Sequence, residues 1–461
     1  MFIYYYPKRN NKIKFQVLYI VILTMTFAQK NVLAQPLRGQ IIVDPNNPAW
    51  LVYNEDKDAD GKLDPFFMCG PGDPEGFLYR GKLNNDGTRN GDQIEIIDSL
   101  KGTGANSIYF QIIRSHGGDG FKDKADPTNG KNQNPFINGD PKDGINDNIL
   151  NQWKHWFDVM EQEKIVKFLF IYDDNVNVSR NLGWNLINGE IHPKEKDFIE
   201  TIVSNFKNYK YLIWVIMEEV QEMGEDHIIH TKKIAETIKN ADDRKHVIAV
   251  HQLTGLNFLF QNDKNIDQFA IQLGDRNRTV DSIYNSTLNA WQNSKNRYNL
   301  NVAEIYDHFA TELFFKIRIK RSESHIRQVN WAAAMAGAYV MIYTWNEPIL
   351  NREILYQCGY LRKFFESTNF NEMAPHDELR YGGTEYVLAQ PGESYIAYTS
   401  NLSSNIGLKS MSSGTYRFKW YDVTNGNTII QDNVNLNAGD QTWNKPKGIG
   451  KEIAVYVKRI N

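Results

Sequence analysis

The chain has 461 residues, enough to bury a large core and to hold more than one domain. A net charge of −3 with no sustained basic stripe argues against nucleic acid as a partner, while leaving room for a local basic cleft that would suit an anionic polysaccharide. Aromatic residues make up 13 %, which serves sugar platforms and barrel filler equally well and decides between neither.

Residues 1–34 read as an export signal. Lys8, Arg9, Lys12 and Lys14 form a basic start, residues 15–28 are mostly apolar, and Val32-Leu33-Ala34 before Gln35 fits a small-residue cleavage site. The apolar run is short for a membrane span, so the mature chain is expected to have none and to work in the periplasm, on the cell surface or outside a bacterial cell. An uncleaved anchor is the alternative. Cys69 and Cys358 are too few for a disulfide framework and are expected as buried thiols.

Residues 35–64 are expected to hold short strands and an acidic turn. Asp56, Asp58, Asp60, Gly61 and Asp64 match the first nine positions of a calcium loop, which suggests a structural Ca2+. Position twelve is Phe67 instead of Glu, and no helices are predicted on either side, so a solvated acidic hairpin is the competing expectation.

A strand-then-helix rhythm follows over residues 65–365. Strands are predicted at 65–69, 107–113, 167–172, 212–217, 247–251, 268–272, 301–304 and 339–345. Helices are predicted at 148–163, 193–206, 228–239, 280–295 and 325–338. Eight strands alternating with helices predict an α/β fold, a closed (β/α)8 TIM barrel. No G-x-G-x-x-G and no G-x-x-x-x-G-K-[ST] occurs, which removes support for dinucleotide or P-loop binding. After residue 365 the helical period stops. Period-two segments separated by turn residues predict a small antiparallel β-sandwich domain over 366–461. Tyr416, Trp420 and Trp443 in it are candidates for a sugar platform or, more simply, for core.

Two strand ends carry the chemistry. The apolar run 211–217 ends in Glu218-Glu219, and the predicted seventh strand ends in Glu304. Carboxylates at the C-terminal ends of barrel strands sit where such barrels keep their active sites. Glycoside hydrolysis needs one carboxylic acid to protonate the leaving oxygen and a second as nucleophile or base. Glu219 and Glu304 are the predicted pair. Neighbouring strand ends offer substrate contacts: Arg114, His116 and Asp119 in a Gly-rich turn after the second strand, and Asp173 after the third. His251 ends the fifth strand, Gln272 ends the sixth, and Tyr306 lies just beyond Glu304. His227 and His230 lack the H-E-x-x-H spacing and read as exposed helical residues, and no G-x-S-x-G is present.

Trp214, Val215-Ile216-Met217 and Glu218-Glu219 resemble the fourth strand of the apiosidase-like branch of clan A glycosidases, where a Trp is followed by three residues and Asn-Glu. Phe66-Phe67-Met68-Cys69-Gly70, followed by Asp73, resembles its first strand, and residues 330–338 its last helix. The tail resembles a β-domain described as collagen-binding that often follows such barrels. The resemblance implies Glu219 as acid/base, Glu304 as nucleophile and Trp345 as an aromatic floor under the sugar. Glu218 stands where the family has Asn, so it is placed in the sugar site and both Glu218 and Glu219 stay open as the proton donor. The expectation is an exported glycoside hydrolase acting on a poly- or oligosaccharide with retention of configuration, no cofactor for catalysis and an open oligomeric state. The alternatives are a non-catalytic carbohydrate- or matrix-binding protein on the same barrel, and an inverting enzyme or lyase using Asp173.

Overall fold

Ser107–Ile113, Val166–Tyr172, Leu212–Met217 and Val247–Gln252 are buried along their whole length, the signature of strands covered on both faces. The computed structural model describes residues 35–57, 61–72, 76–114, 133–174, 176–253, 255–273, 279–305, 323–342 and 352–460. In it these strands join four others in one eight-stranded parallel sheet. In chain order they are β1 (Cys69–Pro71), β2 (Ser107–Ile113), β3 (Val166–Tyr172), β4 (Leu212–Met217), β5 (Val247–Gln252), β6 (Gln268–Leu273), β7 (Asn299–Ile305) and β8 (Tyr339–Ile342). Each pairs with its sequence neighbour from β2 to β8, and β8 pairs back onto β1.

The seam between β1 and β2 is closed by Asn106. Its backbone N–H donates to the Cys69 carbonyl at 3.0 Å, and its side chain bonds the Cys69 N–H at 2.8 Å and the Phe67 carbonyl at 2.9 Å. The result is a TIM barrel. Around it lie α1 (Gln93–Leu100), α2 (Asp147–Gln162), α3 (Pro193–Phe206), α4 (His227–Ala241), α5 (Val280–Ser294), α6 (Glu323–Met335) and α7 (Arg352–Phe365). Local chemistry sets their starts: Asn146 caps α2, Pro193 opens α3, and Thr279 with Ser282 forms a capping box on α5. Trp153, Trp156, Phe157 and Met160 give α2 the buried stripe that faces the sheet. Among the described residues no helix is long and apolar enough to cross a membrane.

The first strand departs from expectation. The predicted segment 65–69 is divided between two sheets. Leu63–Phe66 pairs with Leu51–Lys57, which pairs with Ile41–Val43, in a small antiparallel sheet, and the barrel strand starts only at Cys69. Phe66, Phe67, Met68 and Cys69 are all fully buried, so the apolar run carries no mark of where one sheet ends and the next begins. The acidic turn joins two strands of this sheet. Asp56 is exposed near the end of one strand and Asp64 lies on the other, while Asp58 and Asp60 lie outside the described residues, as does the 1–34 signal.

The tail forms a β-sandwich. A six-stranded antiparallel sheet contains Tyr386–Gln390, Ser394–Thr399, Ile453–Arg459, Gly414–Asp422 and Thr428–Leu436, with Ala374–Pro375 on its edge. A three-stranded sheet of Arg380–Gly382, Ile406–Met411 and Gly439–Trp443 completes it. Four of these strands escaped the sequence reading: Ala374–Pro375 and Arg380–Gly382 are only two and three residues long, Ile406–Met411 is bulged, and Gly439–Trp443 is polar and mostly exposed. Tyr416 and Trp420 are at most 1 % exposed and belong to the sandwich core, not to a sugar platform. Both cysteines are free and buried.

Candidate active site

The last residue paired at the end of β4 is Glu218, whose N–H donates to the Tyr172 carbonyl on β3 at 3.0 Å. One residue later the chain turns. Glu219 adopts φ 47° and ψ 58°, a left-handed conformation that costs a non-glycine residue on the order of 1 kcal/mol. It leads into a short 3-10 turn, Val220–Met223. Because of this turn the two adjacent carboxylates are bound by different walls of the barrel.

Glu218 is held from β2. Its two oxygens accept from the Tyr109 hydroxyl at 3.1 Å and from the Gln111 amide at 2.5 Å. Tyr109 and Gln111 alternate along the strand and so share one of its faces. Behind them the Gln111 oxygen accepts from Arg114 at 2.5 Å, and Arg114 Nε lies 3.8 Å from Asp173 Oδ2. Glu219 is held from β6 and β5. Its carboxylate accepts from Gln272 at 2.7 Å, and its backbone N–H donates to His251 Nδ1 at 3.1 Å.

Glu304 reaches the same place by a bulge. Ile271 pairs with Val302, but Gln272 pairs with Glu304, so Ala303 is the extra residue on β7. Bulges re-aim side chains next to active sites, and this one puts Glu304 directly beside the residue that holds Glu219. Glu304 is 3 % exposed, and its Oε2 lies 3.7 Å from His251 Nε2.

The electrostatics separate these groups. Burial raises the Glu219 carboxyl above its ordinary range; the Gln272 bond opposes this, while the charges of Glu222 and Asp173 add to it. Asp174 is pushed up to about 9, first by burial and then by the charges of Asp173 and Glu219. Burial alone brings His251 down to about 3, so its ring is neutral at ordinary pH. The site therefore contains an acid inclined to keep its proton beside a neutral imidazole. Carboxylate oxygens of Asp173, Asp174 and Glu218 approach within 4.8 Å of one another, as do those of Asp174, Glu219 and Glu222. Among the described residues no His or Cys joins either group, and Glu218 is already taken up by Tyr109 and Gln111, so the crowding bears on proton affinity more directly than on cation binding.

Of the residues singled out from the sequence, Arg114, Asp173, Glu218, Glu219, His251, Gln272 and Glu304 gather at the C-terminal ends of the barrel strands. His116, Asp119, Tyr306 and Trp345 lie outside the described residues. Tyr109, Gln111 and Glu222 were missed. An amide in an otherwise largely apolar buried strand, two residues after a Tyr, was the available signal for the first two. His230 is 3 % exposed and not a surface residue: its Nε2 lies 2.7 Å from Glu195, which also accepts from Tyr172 at 2.9 Å. This buried trio ties α3 and α4 to β3.

Solved structures of similar fold are glycoside hydrolases by description. One, described simply as a glycoside hydrolase, is 15 % identical with a TM-score of 0.64, over 92 % of this chain and 97 % of that one. A family 5 glycoside hydrolase from Bacteroides vulgatus ATCC 8482 is 14 % identical with a TM-score of 0.64, over 92 % of this chain and 94 % of that one. At such identities the likeness shows the fold. No curated protein matches the chain. Residues 101–372, more than half of the chain and spanning β2 to β8 with all three strand-end glutamates, match the family of apiosidase-like catalytic domains; the chain belongs to that family and is a glycoside hydrolase.

Proposed function

We propose that the protein is an exported, retaining glycoside hydrolase acting on a poly- or oligosaccharide, with Glu304 as nucleophile and Glu219 as acid/base. The observation that carries this reading is the unequal treatment of the two adjacent glutamates. Glu218 accepts from the Tyr109 hydroxyl and the Gln111 amide, whereas Glu219 has a raised proton affinity and, among the described residues, a single amide donor. Glu219 is therefore the better proton donor and Glu218 the better acceptor for a sugar hydroxyl. In the first step Glu304 attacks the anomeric carbon, the glycosidic C–O bond breaks, and the Glu219 proton goes to the leaving oxygen. In the second, the Glu219 carboxylate takes a proton from water, which attacks the same carbon and frees Glu304. The basic and apolar segments within residues 1–34 support export.

The test uses aryl glycosides and NMR of the first-formed product. Retention is expected. Glu304→Gln should lose roughly 10³-fold or more in kcat on every substrate. Glu219→Gln should lose as much with poor leaving groups and far less with activated ones, which need no proton. Inversion, or full turnover by Glu304→Gln, would overturn the mechanism.

A further inference from the structure

We propose that His251 is the positioning residue that sets both carboxylates of this site, and that it does so only as the neutral tautomer protonated on Nε2. This rests on the reading of Glu219 and Glu304 as the reacting pair. A backbone N–H only donates, so the nitrogen 3.1 Å from the Glu219 N–H must offer a lone pair. Nδ1 is therefore bare, and the one proton of the neutral ring is on Nε2. An imidazolium would set an N–H against an N–H and break the contact.

Nε2 faces Glu304 Oε2 at 3.7 Å, just beyond hydrogen-bond length, and has no hydrogen-bond partner among the described residues. The ring is 1 % exposed, so bulk water does not compete for that proton. Phe170 meets the ring edge-on, with centroids 6.0 Å apart and planes at 79°, which restrains its orientation. The other titratable groups at the mouth among the described residues are Glu218, Asp173, Asp174, Glu222 and Arg114, and none of them forms an ion pair with the ring.

Two consequences follow from this geometry. On the Glu219 side, the hydrogen bond offsets the cost of a left-handed backbone at a non-glycine residue, and it is that conformation which sends the Glu219 carboxyl toward Gln272 and not toward β2. On the Glu304 side, the neutral ring turns an uncharged N–H toward the carboxylate 3.7 Å away, a looser hold than an imidazolium at that place would have. Gln272 completes a crossed arrangement: its side chain holds Glu219 while its backbone lies opposite Glu304. A positioning residue that carried charge would do the second task poorly and the first not at all.

The experiment uses the full chain, and the readouts are kinetics and 15N NMR of labelled histidine. His251→Leu keeps the bulk and removes both contacts. Its kcat should fall roughly 10²-fold while KM stays within about twofold, the pattern of a lost transition-state interaction. His251→Gln offers an amide oxygen to the Glu219 N–H and an amide N–H toward Glu304, and should recover most of the loss. In the wild type, the His251 resonances should show a bare Nδ1 and a protonated Nε2, unchanged as pH falls through the ordinary histidine value of about 6.5. An unchanged kcat in His251→Leu, a proton on Nδ1, or titration near 6.5 would each overturn the proposal. If His251→Leu fails to fold, the wild-type tautomer decides alone. Glu219→Gln and Glu304→Gln run in the same assay separate the two readings. Both inactive with His251→Leu fully active sinks only this inference, whereas either one fully active sinks the mechanism first.

Discussion

Glu219 and Asp174 show how far one side chain's neighbourhood can move its chemistry. Asp174 follows Asp173 at the end of β3 and sits among like charges in a poorly solvated mouth, which pushes its carboxyl up to about 9. The unfolded chain has an Asp at its ordinary 3.8, so the folded state binds one more proton than the unfolded state between those two values. Stability from this group is complete below about pH 4 and is lost progressively as pH rises toward 9. Asp174→Asn cannot ionise and avoids that loss. At pH 8 the variant should be more stable than the wild type by on the order of 1–3 kcal/mol, and the advantage should vanish near pH 4. Denaturation midpoints measured across that range check it, and a pH-independent difference would contradict the raised carboxyl. The sequence displayed the acids at the strand ends because carboxylates after a buried apolar run stand out. It did not display which would keep protons, since that depends on Tyr109, Gln111 and Gln272 arriving from other strands.

Most barrel elements were legible because a strand buried on both faces and a capped amphipathic helix each carry their signal locally. β2 and β4 run as read, and α3 starts and stops where Pro193 and the end of its apolar stripe put it. What was hidden is relational. The Ala303 bulge exists only against β6, and the division of the 65–69 segment depends on which sheet each half pairs with. The barrel seam is the sharpest case. Gly70 on β1 lies so close to β2 that an added Cβ would sit 2.4 Å from the Ser107 carbonyl oxygen and 2.5 Å from its Oγ. The carbonyl belongs to a strand paired with β3, so it has little freedom to withdraw. Gly70→Ala should therefore push the seam apart and destabilise the protein by about 1–3 kcal/mol, with Asn106 losing its contacts to Cys69 first. Chemical denaturation measures the cost. A variant of wild-type stability would show that the seam yields, which a closed barrel should not do.

At the scale of the whole molecule, the barrel and the sandwich share one core. Trp331 on α6 is fully buried and stacks on Tyr398 of the sandwich, with centroids 5.2 Å apart and planes at 9°. Tyr284 on α5 stacks on Tyr386 at 3.8 Å. Arg327 and Tyr398 both bond Glu452, at 2.6 Å and 3.1 Å, so the contact is specific as well as apolar. The buried cluster that fills the barrel continues into Leu388, Ile396, Tyr398 and Tyr421 without a break. Domains joined through a large apolar interface do not unfold independently, because melting either one exposes the face of the other. Calorimetry of the wild type should therefore show one transition, not two. Trp331→Ala removes the ring at the centre of the contact, at a cost of about 3–5 kcal/mol for a buried Trp. It should lower the midpoint of the barrel and of the sandwich, although the substitution lies wholly on the barrel side. A sandwich that kept its wild-type melting temperature while the barrel melted earlier would mean that the tail is a separate module docked on the enzyme. A common shift would mean that the sandwich is part of what holds α5 and α6, and through them β6 and β7, in the register that sets Gln272 opposite Glu304.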